Sequence, residues 1–63
     1  MNTTEYLGDG VYVSLEDGDV VLRTGDHRAE AATNEVVCEP GVIRALMRWL
    51  NALAEEARRE RAQ

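Results

Sequence analysis

The sequence predicts a small α+β domain, in which a three-stranded antiparallel sheet is followed by one C-terminal amphipathic helix. Two observations support this class. Alternating apolar residues flank an Asp-Gly pair, which is typical of a β-hairpin, and the last third of the chain has the 3.6-residue apolar period of a helix. A chain of 63 residues is expected to form one domain, residues 1–63.

The N-terminal part is predicted to begin loosely, because residues 1–5 are polar. Gly8-Asp9-Gly10 is typical of a turn, since glycine supplies positive φ and aspartate closes local hydrogen bonds. The same tripeptide could belong to a phosphate-binding loop, but such a loop needs a strand before it and a helix after it. A strand-like segment follows instead, which favours the turn.

The strands of the hairpin are predicted at residues 11–15 and 19–24, on either side of Asp17-Gly18, a favoured type I′ pair. A two-residue loop places Glu16 opposite Asp19. In that register the inward face is mainly apolar, with pairs such as Val13 and Leu22, and the other face is half exposed. The like charges at the tip leave a four-residue loop, 16–19, as an alternative.

Residues 25–33 lack an apolar anchor and are predicted to form a mobile loop. Residues 34–38 are predicted to form the third strand, with Val36 and Cys38 pointing inward. A helix is then predicted from Pro40 to Arg61, because proline suits the first helical turn. We expect this helix to pack across one face of the sheet and to fray at its end, over residues 60–63.

Apolar residues cover an unusually wide side of the predicted helix. At 100° per residue they fill an arc of roughly 160°, whereas an ordinary surface helix shows an apolar stripe of about 100°. We call this set the apolar arc; its members are Val42, Ile43, Leu46, Met47, Trp49, Leu50, Leu53, Ala54 and Ala57.

A three-stranded sheet cannot cover the whole apolar arc, so self-association is expected. A chain of this size buries only about 60% of its unfolded surface, and small domains need a further source of stability. Cys38 is the single cysteine, which excludes an internal disulfide. We therefore predict a homodimer or larger homo-oligomer, with an interface that includes Val42, Leu46, Trp49, Leu50 and Leu53.

Charge is distributed unevenly along the chain, whose net charge is −5. Residues 1–43 contain nine acidic and two basic residues, a net of −7, and residues 44–63 contain three acidic and five basic residues, a net of +2. An acidic chain is a poor general nucleic-acid binder, because neutralising phosphates supplies most of that affinity. No secretory signal or membrane-spanning run is visible, so a cytoplasmic protein without membrane association is expected.

Three acidic residues, Glu16, Asp17 and Asp19, meet at the predicted hairpin tip. They could bind a basic surface of a partner protein, or they could be ordinary solvated turn residues. Too few oxygen ligands are available for a calcium loop. Arg44 and Arg48, one helical turn apart, could bind a small anionic ligand, or they could be ordinary surface residues.

No catalytic arrangement is predicted. His27 lies in a polar loop, and a catalytic histidine needs a nucleophile and an orienting group. Ser14 is placed in the middle of a strand, and Cys38 is expected to behave as a small buried hydrophobic residue. His27 and Cys38 cannot supply the three or four ligands of a usual metal site. We therefore expect no enzymatic activity, no metal and no cofactor.

Two stretches of the chain resemble short proteins encoded by bacteriophages and prophages: YLGDGVYVSLEDGDVVLRT, Tyr6 to Thr24, and VVCEPGVIRALMRWL, Val36 to Leu50. The shared features are a Leu-Gly-Asp turn, a hairpin, a Glu-Pro pair and one amphipathic helix. The chain departs from the pattern by having few aromatic residues in its second hairpin strand and a long acidic loop. The resemblance implies a phage accessory protein and supplies no site residues.

The leading hypothesis is a non-enzymatic accessory protein that binds a host or phage macromolecule, in the manner of anti-CRISPR-like inhibitors of host defence. Two alternatives are an oligomer that sequesters a small anionic ligand, such as a signalling nucleotide, and a component of the virion or its assembly. For a phage-encoded chain, the expected location is the cytoplasm of the host cell.

Overall fold

The computed structural model describes residues 3–61, which form an antiparallel sheet followed by one helix. Strand β1 spans Thr4–Gly8, β2 Val11–Glu16, β3 Asp19–Thr24 and β4 Asn34–Cys38, and helix α1 spans Pro40–Arg61. The strand order is β1-β2-β3-β4, so each strand pairs with its neighbour in the sequence. The α+β class is confirmed, but the described residues form four strands, and the predicted number of three is wrong.

The hairpin of β2 and β3 has the predicted two-residue register. Glu16 pairs with Asp19, Val13 with Leu22 and Ser14 with Val21. Asp17 and Gly18 have φ values of 53° and 84°, and a type I′ turn requires positive φ at both of its central residues. The four-residue alternative is therefore not adopted.

Strand β1 is the element that the sequence prediction missed. Thr4 and Glu5 belong to it, although residues 1–5 were expected to be loose. Its few apolar residues give no alternating pattern, and it is held by pairing with β2, where Tyr6 lies opposite Tyr12. The predicted turn at Gly8-Asp9-Gly10 is confirmed by positive φ at all three residues.

The segment between β3 and β4 is fixed to the sheet at both ends. Gly25 N–H donates to the Gly10 carbonyl at 2.9 Å, and Thr33 N–H donates to the Thr24 carbonyl at 2.8 Å. The bounds of the next strand, residues 34–38, agree with the prediction. The mobility expected for residues 25–33 stays a prediction.

The two faces of the sheet differ in chemistry. We call one the arginine face; its residues on β2, β3 and β4 are Tyr12, Ser14, Glu16, Asp19, Val21, Arg23, Glu35 and Val37. We call the other the valine face; its residues on the same strands are Val11, Val13, Leu15, Val20, Leu22, Thr24, Asn34, Val36 and Cys38.

Burial does not follow the sequence prediction. The buried residues of the described chain are Val21, Cys38, Ser14 and Arg23, and all except Cys38 lie on the arginine face. The valine face was expected to point inward, yet Leu15 and Val36 are 53% and 55% exposed. Val36 was expected to be buried on the inward face, and this prediction is wrong. Val36 lies on the valine face, which α1 does not cover.

Helix α1 has the predicted bounds but does not pack across the sheet. Over residues 40–61 no side chain is buried, and among the described residues its contacts with the sheet are confined to β3 and β4. Only Glu39 separates β4 from α1, which leaves too short a connection to fold the helix back over the sheet. The result is an elongated shape of 48 × 25 × 23 Å.

The ends of α1 show two further differences from expectation. Glu60 and Arg61 are helical, while residues 62–63 of the predicted frayed end, like residues 1–2, lie outside the described residues. The ion pairs near the C-terminus join Arg58 to Glu55 and Arg59 to Glu56 at i,i+3 spacing. Spacing of i,i+4 would favour a Glu55–Arg59 pair, but these two pairs form instead.

Candidate functional site

The largest candidate site is the apolar arc of α1. Among its large side chains Trp49 is the most exposed, with 61% of its surface accessible, and Leu46 still has 42%, whereas Ile43 is half buried. All five residues predicted for the oligomer interface lie exposed on this one side of the helix. Contiguous exposed apolar surface of this kind marks an interaction site or an aggregation liability.

The acidic hairpin tip does not form a free cluster of three carboxylates. Asp17 occupies the turn, and Asp19 is half buried at the start of β3. Glu16 is directed along the arginine face, where its carboxylate accepts hydrogen bonds from Ser14 and Arg23. Two of the three predicted partner-binding residues therefore remain available for a basic partner, and Glu16 is already paired within the chain.

Arg23 is the centre of a polar cluster on the arginine face. Its Nη1 and Nη2 donate to the two carboxylate oxygens of Glu16 at 2.5 and 3.0 Å. Its Nε donates to Glu35 at 2.6 Å, and Nη1 also reaches the His27 carbonyl at 3.2 Å. Such two-pronged pairing holds the guanidinium in one orientation. We call Arg23, Glu16, Glu35 and Ser14 the arginine cluster.

The arginine cluster perturbs the proton equilibria of its members. Hydrogen bonds from Arg23 and then from Ser14 lower the pKa of Glu16 from 4.5 to about 2. The two carboxylates in turn raise the pKa of Arg23 above its usual value. Outside the cluster, the side chain and backbone N–H of Arg28 hold the pKa of Asp26 well below its usual range. These shifts stabilise the folded state wherever the carboxylates are ionised.

We expect the pH dependence of stability to report the pairing of Glu16. Because its folded pKa of about 2 lies below its ordinary value of 4.5, its contribution is complete above pH 4.5 and disappears as the pH falls toward 2. The variant Glu16→Gln should therefore lose less stability across this window than the wild type, as measured by urea unfolding. The acid sensitivity that remains in the variant should come partly from Asp26. If the free energy of unfolding falls equally steeply with pH in both proteins, Glu16 does not contribute to the acid sensitivity.

An aromatic row lies beside the arginine cluster. The Tyr6 and Tyr12 ring centroids are 4.9 Å apart, and those of Tyr12 and His27 are 5.8 Å apart. Tyr6 also accepts a hydrogen bond from Gly10 N–H at 3.0 Å. A shallow, open cavity of about 430 Å³ borders these rings. This row covers one end of the arginine face and brings the β3–β4 loop against the sheet.

No protein-family model, curated protein or solved structure matches the chain. The resemblance to phage proteins therefore stays a prediction from the quoted motifs.

The residues considered for catalysis are not brought together. Ser14 donates its hydroxyl hydrogen to Glu16 at 2.7 Å, and Cys38 lies buried on the opposite face of the sheet. The His27 ring packs beside Tyr12, and its Nδ1 lies 3.6 Å from Asp26. Within residues 3–61, no group of three or more His, Cys, Asp or Glu side chains is arranged to hold a metal ion.

Arg44 and Arg48 are exposed on α1. At 100° per residue, Arg48 lies about 180° from the middle of the apolar arc, and Arg44 lies on the same polar side. Both guanidinium groups therefore face away from any interface formed through the arc. In the described part of the chain, no helix has the length and apolar character required to cross a membrane.

Arg23 is the residue that sequence reasoning missed. The hairpin register placed it opposite Tyr12 on a half-exposed face, and Glu35 was placed outward on β4. The two placements put both side chains on one face of the sheet, and the β3–β4 register of the structure pairs them directly. The hydrogen bonds from Arg23 to Glu16 extend along the sheet past Ser14, and the alternation of residues along the strands does not predict them.

Proposed function

We propose that the chain is a small, non-enzymatic accessory protein of the bacteriophage type that acts by binding a macromolecular partner. The observation that supports a role in protein association is the apolar arc, which is exposed along α1; the surface proposed for the macromolecular partner is the hairpin tip, with Asp17 and Asp19. A tryptophan such as Trp49 is among the residues that most often supply the binding energy at protein interfaces.

The proposed partner is a host or phage protein, and the proposed effect is inhibition of a host defence system, as in anti-CRISPR-like proteins. The small size and net charge of −5 suit a protein that occupies a basic surface of a larger target. The motifs shared with short phage proteins favour the same role. The expected location is the cytoplasm of the host cell.

The helix and the sheet can have different tasks in this role, with α1 mediating self-association and the sheet contacting the partner. Self-association through α1 leaves the hairpin tip of each copy free to contact the partner. Sequestration of a small anionic ligand between subunits is less favoured, because Arg44 and Arg48 face away from the apolar arc. No observation among the described residues specifically favours the virion component.

Affinity capture from host lysate tests the proposal. The tagged protein is used as bait, and each captured protein is then purified and tested for direct binding. Direct binding of a defence protein, with loss of its activity, would support the role. Failure of every captured protein to bind directly would contradict it.

The hairpin tip provides a sharper prediction. We expect the double variant Asp17→Asn/Asp19→Asn to associate more slowly with a basic partner and to show a weaker salt dependence, because exposed charges mainly steer association. Asparagine is well suited to the positive φ at position 17, so folding should be retained. Stopped-flow association rates at several salt concentrations provide the measurement.

A control for the tip variant is Glu55→Gln/Glu56→Gln, which removes the same number of negative charges at the other end of the chain. This control should leave the rate and its salt dependence nearly unchanged. Equal behaviour of the tip variant and the wild type would reject the hairpin tip as the contact surface.

A further inference from the structure

We infer that the apolar arc is covered by α1 of a second copy, with the two helices antiparallel about a two-fold axis that crosses the helix pair at the level of residue 48. This inference deepens the proposed function, because it identifies the partner and geometry of one binding surface. It rests on the exposed area, on the period of the apolar residues and on the distribution of charge.

The exposed area matches what a dimer needs. The chain exposes 5191 Å², roughly 1,200 Å² more than the ~4,000 Å² expected for a compact monomer of its mass. A standard interface buries about 800 Å² on each partner. The Cα radius of gyration of 14.6 Å also exceeds the value of about 11 Å expected for a compact chain of this length. The excess surface is therefore sufficient for one helix pair.

The central residues of the apolar arc have the spacing of a two-helix seam. Alternating steps of three and four residues are typical of helices that pack along their length. The seam consists of Ile43, Leu46, Leu50, Leu53 and Ala57. It is flanked on both sides by further apolar residues, which are Val42, Met47, Trp49 and Ala54.

The charge distribution selects the antiparallel orientation. A parallel pair would bring together two N-terminal parts, each with a net charge of −7, and would also bring together two arginine-rich helix ends. An antiparallel pair keeps the two acidic N-terminal parts at opposite ends of the helix pair, and it places the last turn of each helix, with Arg58, Arg59 and Arg61, beside the acidic sheet of the other copy. It also opposes the two helix dipoles, which is the favourable arrangement.

The register follows from matching seam residues. If Leu46 of one copy packs against Leu50 of the other, Ile43 packs against Leu53, and symmetry repeats both contacts. These four layers are entirely apolar, and Trp49 of each copy lies close to the axis. The last turn, with Arg58, Arg59 and Arg61, then lies level with Glu39 and β4 of the second copy.

Cysteine cross-linking tests both the occupant and the orientation. The full-length variants Ile43→Cys and Leu53→Cys are oxidised separately and as a mixture, at micromolar concentration. The wild type, whose single cysteine is buried, provides the blank. In the antiparallel register each residue lies roughly 15 Å along the axis from its own copy, whereas disulfides require Cα atoms within about 7 Å.

The expected result is a disulfide between the two different variants in the mixture and little product from either variant alone. Efficient linking of each variant with itself would show a parallel pair and overturn the inference. A monomer mass for the wild type by sedimentation equilibrium would also overturn it, and would leave the arc to another macromolecule. A dimer that captures no host protein would refute the proposed function alone.

Discussion

Leu50→Glu is expected to convert the dimer into monomers. Leu50 occupies the middle of the proposed helix seam, and loss of a buried leucine costs about 2–5 kcal/mol. Even 2 kcal/mol per copy, or about 4 kcal/mol for the dimer, raises the dissociation constant roughly 1,000-fold, before the cost of burying a charge is added. The helical circular-dichroism signal should fall together with the mass, because most helical stability in proteins comes from packing of the amphipathic face.

Asn51→Glu is the matched control for this substitution. It adds the same charge at the next position of α1, but position 51 lies on the polar side of the helix. We expect this variant to keep the mass and helicity of the wild type when both are compared by sedimentation equilibrium and circular dichroism. If both variants dissociate, or neither does, the apolar arc is not the dimer interface.

Arg23→Gln is expected to produce the largest loss of stability in the sheet. Arg23 is buried, and it pairs with both Glu16 and Glu35. Its removal leaves two carboxylates, on side chains that are 44% and 41% exposed, together on one face without their cation, and it also removes the buried stem of the arginine from the packing of that face. Thermal unfolding followed by circular dichroism should show a clearly lower Tm.

Arg28→Gln removes the same charge from an exposed site. Arg28 is paired with Asp26 on the surface loop, and exposed pairs contribute about 0–1 kcal/mol. Its Tm should therefore stay close to that of the wild type. Similar losses for the two variants would mean that net charge, and not the arginine cluster, determines the effect.

The parts of the fold that were predicted correctly depend on local chemistry. The register of β2 and β3 follows from Asp17-Gly18, because the type I′ turn fixes which residues lie opposite each other. The bounds of α1 follow from Pro40 and from an apolar period that continues to the last turn. Each of these features can be inferred within a window of about 20 residues.

The incorrect predictions concern what each element packs against. Alternation identified the apolar face of the sheet, but it could not show that residues 3–61 leave this face uncovered. Strand β1 was missed because Tyr6 and Leu7 do not alternate, and only pairing with β2 makes the segment a strand. Arg23 was missed because its partners lie on two other strands, and the pattern along β3 contains no information about them.

The sequential order of the strands has a consequence for folding. Each strand pairs with the one before it, and two of the three connections between strands have only two residues. The sheet therefore requires little loop-closure entropy, and such low contact order favours rapid folding. Docking of α1 onto a second copy is a later, second-order step. Backbone amides of β2 and β3 should then exchange with deuterium at rates independent of protein concentration, while those of α1 should become better protected as the concentration rises.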